Sequence, residues 1–240
     1  MYKLETHLHT KGSSPCGQVE IKRIAEKYHG HGYKGIIVTN HIMKHVFEDC
    51  YPAGTPKQKA ERYIGFYKRT QDECAKYGIR VFLGAEINPV GRVHQNGHSP
   101  LEEYLVYGLE EAFLYENPKL YNLTQKEMFK LFDGAGFLMY QSHPFRTDGT
   151  DKACTRGNPE FMHGVEVFNG HPGHKSYNED ALAFAKKHGL KTLSGSDFHD
   201  DFHYYGETVT GGVIIPEKVK TVKTLVNYLK NREPKLIRGS

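Results

Sequence analysis

Cysteine is scarce in this sequence, and none of it is spaced for pairing. The four residues, Cys16, Cys50, Cys74 and Cys154, are scattered with no C-x-x-C, which argues against a zinc ribbon or a disulfide scaffold and for reduced thiols. No apolar run approaches membrane-spanning length, so no membrane partner is expected. The N-terminal "MYKLETHLHT" lacks a basic region followed by an apolar stretch, so no signal peptide is expected and a cytoplasmic location is. Like charges form no block, and the net charge of +4 is spread along the chain. That excludes a clustered nucleic-acid footprint but admits a small anionic substrate. Internal repeats, low-complexity tracts and linkers are also missing.

What remains is an ordinary globular composition, 25 % charged and 38 % hydrophobic, with one excess: fifteen histidines, all internal. Histidine in a chain without thiolate clusters raises the case for a metal site.

Short apolar runs alternate with amphipathic ones. Strands are expected at Tyr2–Leu8, Gly35–Thr39, Arg80–Ile87, Tyr104–Tyr107, Phe137–Gln141, Gly164–Phe168, Thr192–Ser194 and Gly212–Ile215. Helices are expected at Val19–Tyr28, Lys57–Tyr77, Asn178–His188 and Val219–Leu229, and Thr124 with Glu127 forms a capping box opening another. Alternating buried-type strands and helices argue a parallel sheet in one domain over residues 1–240. Asn88–Pro100 and Arg146–Met162 read as its two long loops.

The chemistry-bearing residues fall at strand ends. His7 and His9 end the first strand, two apart and so on one face of it. Asn40-His41 ends the second and Glu86 the third. Ser142-His143-Pro144, Glu166 with Asn169, and Asp197 with His199 follow. A single histidine or acid at a strand end is more often a cap or hydrogen-bonding group. In a parallel barrel, however, all these ends meet at one mouth, and His, Asp and Glu are ligands of divalent transition metals.

The motifs "HLHT", "TNH", "GAEI", "SHP" and "GSDFH", in this order, resemble the polymerase and histidinol phosphatase (PHP) family. The resemblance spans Lys3 to about Ile215 and implies a distorted (β/α)7 TIM-like barrel. It further implies two or three divalent ions, for which zinc, manganese and iron all suit the ligands, and no organic cofactor. His7, His9, Glu86 and Asp197 would hold the first ion, Glu86 would bridge to a second bound by His143, and His41 and His199 would belong to a third.

Three departures stand out. Where many members carry a histidine six positions after the second of H-x-H, this chain has Pro15 beside Cys16, whose thiolate is an alternative ligand. Where a histidine precedes the fourth strand it has Glu102-Glu103, so Glu103 is a tentative ligand of the second ion. The usual Asp-His after the second strand is Asn40-His41.

The implied activity is hydrolysis of a small phosphomonoester by metal-activated water. His199, or failing it His41, would move the leaving group's proton. Arg146 would grip the phosphate, with Asn169 and His174 as further substrate contacts, and Glu166 would support the ligands. Arg92, His171 and His203 read as surface residues near the same face. Two alternatives stand beside this one: an amidohydrolase-type metallohydrolase, whose bridging group usually falls at the fourth strand, and a degenerate, non-catalytic metal scaffold.

Overall fold

The computed structural model describes residues 1–90, 102–147, 156–173, 175–176, 178–200 and 209–239. The chain runs β1 (Tyr2–Glu5), α1 (Ile21–Gly30), β2 (Tyr33–Val38), β3 (His41–Ile42), α2 (Pro56–Ala75), β4 (Arg80–Ile87) and β5 (Tyr104–Tyr107). It continues through α3 (Glu111–Glu116), α4 (Gln125–Gly134), β6 (Leu138–Gln141), β7 (Gly164–Asn169), α5 (Asn178–His188), β8 (Lys191–Gly195), β9 (Val213–Ile215), α6 (Val222–Asn231) and β10 (Lys235–Leu236). A π-helical turn, His45–Cys50, leads into α2. Capping boxes start α2 (Thr55 with Gln58) and α4 (Thr124 with Glu127), the second as the sequence implies. Among the described residues no helix is long and apolar enough to cross a membrane, and Cys16, Cys50 and Cys74 are free thiols.

The strands form one sheet in the order β10-β9-β1-β2-β4-β5-β6-β7-β8, with β3 on β4. It curls into a nearly closed barrel. Thr6 Oγ1 donates to the Ser194 carbonyl at 2.6 Å, and Leu8 bridges Phe198, tying β8 back to the start of the chain. The expectation of a parallel sheet needs two corrections: β9 is antiparallel to both β1 and β10, and within the wall β5 is antiparallel to both β4 and β6. Its N-terminal end therefore shares the mouth with the C-terminal ends of the parallel strands.

Strand alternation decides what enters the barrel. Leu4, Ile37, Phe82, Leu105, Tyr107, Leu138 and Leu193 pack together inside, joined by Leu225 and Leu229 of α6. Their neighbours Leu83, Val106, Met139 and Val165 face the outer helices. By the same period Glu86, Glu103 and Glu166 point inward. At Gly108, just past β5, an added Cβ would press on Val226, so α6 plugs the end away from Glu103.

β1 does not extend to Leu8 as its apolar run implies. Tyr2 and Leu4 face the interior, whereas Leu8 packs outside with Tyr28 and Phe198. The cause is Glu5, fully buried, whose Oε1 accepts the amides of Thr6 (2.9 Å), His7 (2.9 Å) and Ser196 (3.0 Å). Its Oε2 takes the Tyr28 hydroxyl at 2.9 Å. Bending two successive amides onto one oxygen ends the ladder and shifts the phase by one residue. Such a shift turns every later side chain over, here sending His7 and His9 inward.

Glu5→Ala would strand three buried amides, at roughly 1–3 kcal/mol each. We expect denaturant unfolding to show a loss of about 3–5 kcal/mol for Glu5→Ala and a much smaller loss for Glu5→Gln, which keeps an acceptor.

Candidate metal centre

The phase shift aims both imidazoles at one point, with Nε2 of His7 and of His9 3.1 Å apart. Glu86 faces them from the end of β4, Oε1 lying 3.3 Å from His7 Nε2 and Oε2 3.3 Å from His9 Nε2. Asp197 Oδ1, just beyond β8, is 3.3 Å from the first and 3.4 Å from the second. Donor atoms around one tetrahedral ion with bonds of about 2.0–2.2 Å are about 3.3–3.6 Å apart. The four expected first-ion residues thus make a set of the right size.

A second set adjoins it through Glu86. His143 Nε2 lies 3.2 Å from Glu86 Oε1 and 3.5 Å from Glu103 Oε2. His41, paired beside Glu86 by the β3–β4 register, places Nδ1 3.1 Å from Glu86 Oε2 and 3.7 Å from Glu103 Oε1. Inside this set His41 Nδ1 and Glu103 Oε2 are buried without a hydrogen bond. Buried polar atoms rarely go unsatisfied, and a shared cation is what these donors lack. The residues present fit a pair of ions bridged by Glu86.

The surroundings hold the ligands in place. Glu166 Oε1 accepts His7 Nδ1–H at 2.9 Å, which keeps a proton there and makes Nε2 the atom that faces the set and would ligate an ion once its own proton is displaced. Its Oε2 accepts the His143 amide (3.0 Å) and Asn169 Nδ2 (3.0 Å). Asn169 also reaches Asp197 Oδ2 at 3.1 Å, so this side chain, expected to touch substrate, is spent on the site's own carboxylates. Gly195 packs beneath: an added Cβ would fall 2.4 Å from His7 Cβ. The backbone is strained at two of the ligands, with φ of 25° at His143 and 54° at Asp197, a region that costs roughly 1–3 kcal/mol outside glycine.

Arg146 stands at the rim, NH1 3.1 Å from Asp197 Oδ2 and NH2 3.6 Å from Glu103 Oε2. It borders a cavity of about 360 Å³ that Asp197, His199, His41 and Glu103 line together with Pro15, Met43 and Val46. Cys16 lines this cavity but joins none of the ligand groups; its Sγ is 3.1 Å from Ser14 Oγ. His199 does not gather with His41. Its Nδ1 meets the Asp197 carbonyl at 2.7 Å, and it keeps company with His171 and Asp200. His171, expected as a surface residue, is 3 % exposed, and Asp200, which directly follows "GSDFH" and is not among the expected site residues, is 7 % exposed beside it. An acid abutting that motif was the available signal. His174, Arg92, His203 and Cys154 lie outside the described residues.

The charges are tightly balanced. Burial alone would raise Glu86 and Asp197, but His7 and the hydrogen-bonding histidines hold both well below the usual carboxylate range. His7 and His9 respond in kind. Against burial, Asp197 and Glu86 lift His7 well above its ordinary value and His9 to about 9. Burial and the neighbouring His9 push His41 down to about 4, while burial and the charge of Glu86 raise Glu103.

No family model matches the sequence, and neither does any curated protein. Solved structures do match. One is a two-domain protein from Bacteroides vulgatus containing a predicted PHP-like metal-dependent phosphoesterase, with TM-score 0.64 and 21 % identity over 99 % of this chain. The match takes in 65 % of that protein, just under two thirds of its length. PsfC from Pseudomonas syringae matches with TM-score 0.65 and 15 % identity, over 100 % of this chain and 92 % of its own. The fold is that of the PHP-like phosphoesterases. An amidohydrolase from Chromobacterium violaceum shares the barrel, with TM-score 0.56 and 14 % identity over 99 % of this chain and 98 % of its own. These likenesses extend to the fold, and what the site does rests on its own residues.

In the ion-free protein, protons on His7 and His9 neutralise Glu86 and Asp197, so an entering ion must displace them. Since His9 titrates at about 9, affinity should climb as pH rises from 6 towards 9. Calorimetry in buffers of different ionisation heat should register release of about one proton or more per ion at pH 7.

Proposed function

We propose that this protein is a metal-dependent phosphoesterase that hydrolyses small phosphomonoesters. The observation that carries this reading is the position of Arg146. A fixed guanidinium borders two ion-sized ligand sets that share Glu86, all opening on one cavity of about 360 Å³. Three such positive centres complement the oxygens of a phosphoryl group, and the volume suits a small molecule.

In this reading His7, His9, Glu86 and Asp197 hold one divalent ion, and Glu86, His143, His41 and Glu103 hold another. Zinc, manganese or iron would serve. Bound there, such a pair supplies an activated water and offsets phosphoryl charge. The chain does the rest. Glu166 and Asn169 keep His7 and Asp197 aligned, Arg146 turns its fork towards the incoming phosphate, and Pro15, Met43 and Val46 shield the reacting centre from bulk water. His199, which lines the cavity, carries the leaving group's proton when it holds no ion. Lysine is missing from both ligand sets, and the bridging Glu86 ends the third of the strands expected from sequence (β4 once the two-residue β3 is counted), earlier than the fourth-strand position usual in amidohydrolases, which favours phosphoester over amide hydrolysis.

The test is phosphate release from a panel of sugar, nucleoside and amino-alcohol phosphates by metal-reconstituted protein. Asp197→Ala should lose at least about a thousandfold in turnover, in line with loss of an ion ligand. Arg146→Ala should lose about 30- to 150-fold in kcat/KM, the worth of a charge-assisted contact of about 2–3 kcal/mol. Turnover of amides or lactones without phosphate release would overturn the reading, as would unchanged activity in Asp197→Ala.

A further inference from the structure

Part of the cavity beside the ligand sets is lined by residues that hold no ion. Apart from Arg146, His199 and the ligands themselves, its described lining comes from two segments. One is the turn after β1, with Ser14, Pro15 and Cys16. The other is the entry to the π-helical turn, with Met43, His45 and Val46. Pro15, Met43 and Val46 make this part largely apolar. Neither segment belongs to a strand, so contacts with the rest of the fold, and not sheet register, set where they stand.

Both segments are tied to one residue of α2. Arg62 Nη2 donates to the Gly12 carbonyl at 3.0 Å. The Gly12 amide donates in turn to the Gly17 carbonyl at 3.2 Å, closing the turn that carries residues 14–16. The same guanidinium lies over the Tyr51 ring, its carbon 3.6 Å from the ring centroid. Tyr51 ends the π-helical turn, its amide donating to the Val46 carbonyl at 3.0 Å. Lys59 and Phe66 share a face of α2 with Arg62 by helical spacing and reinforce the grip. Lys59 Nζ donates to the Phe47 carbonyl, and a Cβ added at Gly12 would lie 3.4 Å from the Phe66 ring. A planar guanidinium can stack on a ring by its face and donate in its plane at once, which an ammonium cannot.

We infer that Pro15, Met43 and Val46 receive the leaving group of the substrate, a small and largely apolar alcohol, and that Arg62 is the residue that positions this surface. The inference rests on the phosphoesterase reading above and narrows its substrate class. The ion sets and Arg146 take the phosphoryl group, so the rest of a bound ester lies against the lining that remains. Carbon covered there leaves water at a gain, whereas the hydroxyls of a polyol would give up water for surfaces that offer few partners. Arg62 itself is not among the residues that line the cavity. It acts through Gly12 and Tyr51, so its removal frees both segments together. The loss then falls on the grip of the leaving group and spares that of the phosphate.

Benzyl phosphate and glycerol phosphate test this, since both are esters of primary alcohols and differ mainly in the polarity of the leaving group. Metal-reconstituted wild type should favour benzyl phosphate by about tenfold or more in kcat/KM. Arg62→Ala should raise KM for benzyl phosphate about 5- to 30-fold, with kcat, bound metal and competitive inhibition by inorganic phosphate held within about twofold. Arg62→Lys should recover only a small part of that loss, because it cannot make both contacts. Tyr51→Leu, which removes the stacked ring, should raise the same KM, and it carries the test if thermal melting shows that Arg62→Ala does not fold. Calorimetry reads the contrast without turnover: Arg62→Ala should weaken benzylphosphonate and leave methylphosphonate unchanged. Equal kcat/KM for the two esters in wild type would overturn this inference and leave the phosphoesterase reading standing. So would an Arg62→Ala variant that loses both esters alike or loses metal. Phosphate release from no ester at all would sink both.

Discussion

The centre depends on one buried carboxylate that binds no ion. Glu5 gathers the amides of Thr6, His7 and Ser196 onto a single oxygen. Locally this ends β1 and turns His7 and His9 towards the interior. Over a longer range it fastens the segment after β1 to the segment after β8, whose Ser196 lies 191 residues further along the chain. Asp197 follows Ser196 directly, so the same contact sets the distance between the paired histidines and the carboxylate opposite them. Without Glu5 the alternation of β1 would carry Leu8 inward and both imidazoles out.

The barrel wall supplies the remaining ligands by simple geometry. Inward positions on β4, β5 and β7 carry Phe82, Leu105 and Tyr107 deep in the barrel and acids at the mouth. Hydrophobic packing below thus fixes where the carboxylates stand above. Four buried acids, Glu86, Glu103, Glu166 and Asp197, share this mouth. Their mutual repulsion has to be offset by histidine protons, by Arg146 or by ions. A site with this charge is poised to exchange protons for metal.

Much of this was legible in the sequence because it depends on local pattern. β4 and α5 occupy the spans that their residues imply, the Thr124 capping box forms, and His7, His9, Glu86, His143 and Asp197 converge as their motifs suggest. What could not be read depends on direction and distance. Nothing in "YLVY" records that β5 runs antiparallel, yet that reversal is what brings Glu103, which precedes the strand, into the mouth. The phase shift at Glu5 needs Ser196, and no window around residue 5 contains it. His171 looked like a loop residue because its burial comes from Asp200 and the stacked ring of His199, both reached only through the fold.

Arg146 links the wall to the chemistry. Its guanidinium reaches one carboxylate of each ion set, Asp197 of the first and Glu103 of the second. A histidine at position 103 would bring no charge, whereas glutamate adds one, and a cation within 3.6 Å offsets it. Glu103 and Arg146 therefore act as a matched pair. The acid strengthens the second ion set, and the arginine moderates that charge until an anion arrives. On the phosphoesterase reading, a phosphate that drew Arg146 towards itself would also relax its hold on Glu103 and Asp197 and return both carboxylates to the ions. Substrate capture and ion binding would then reinforce one another through a single side chain.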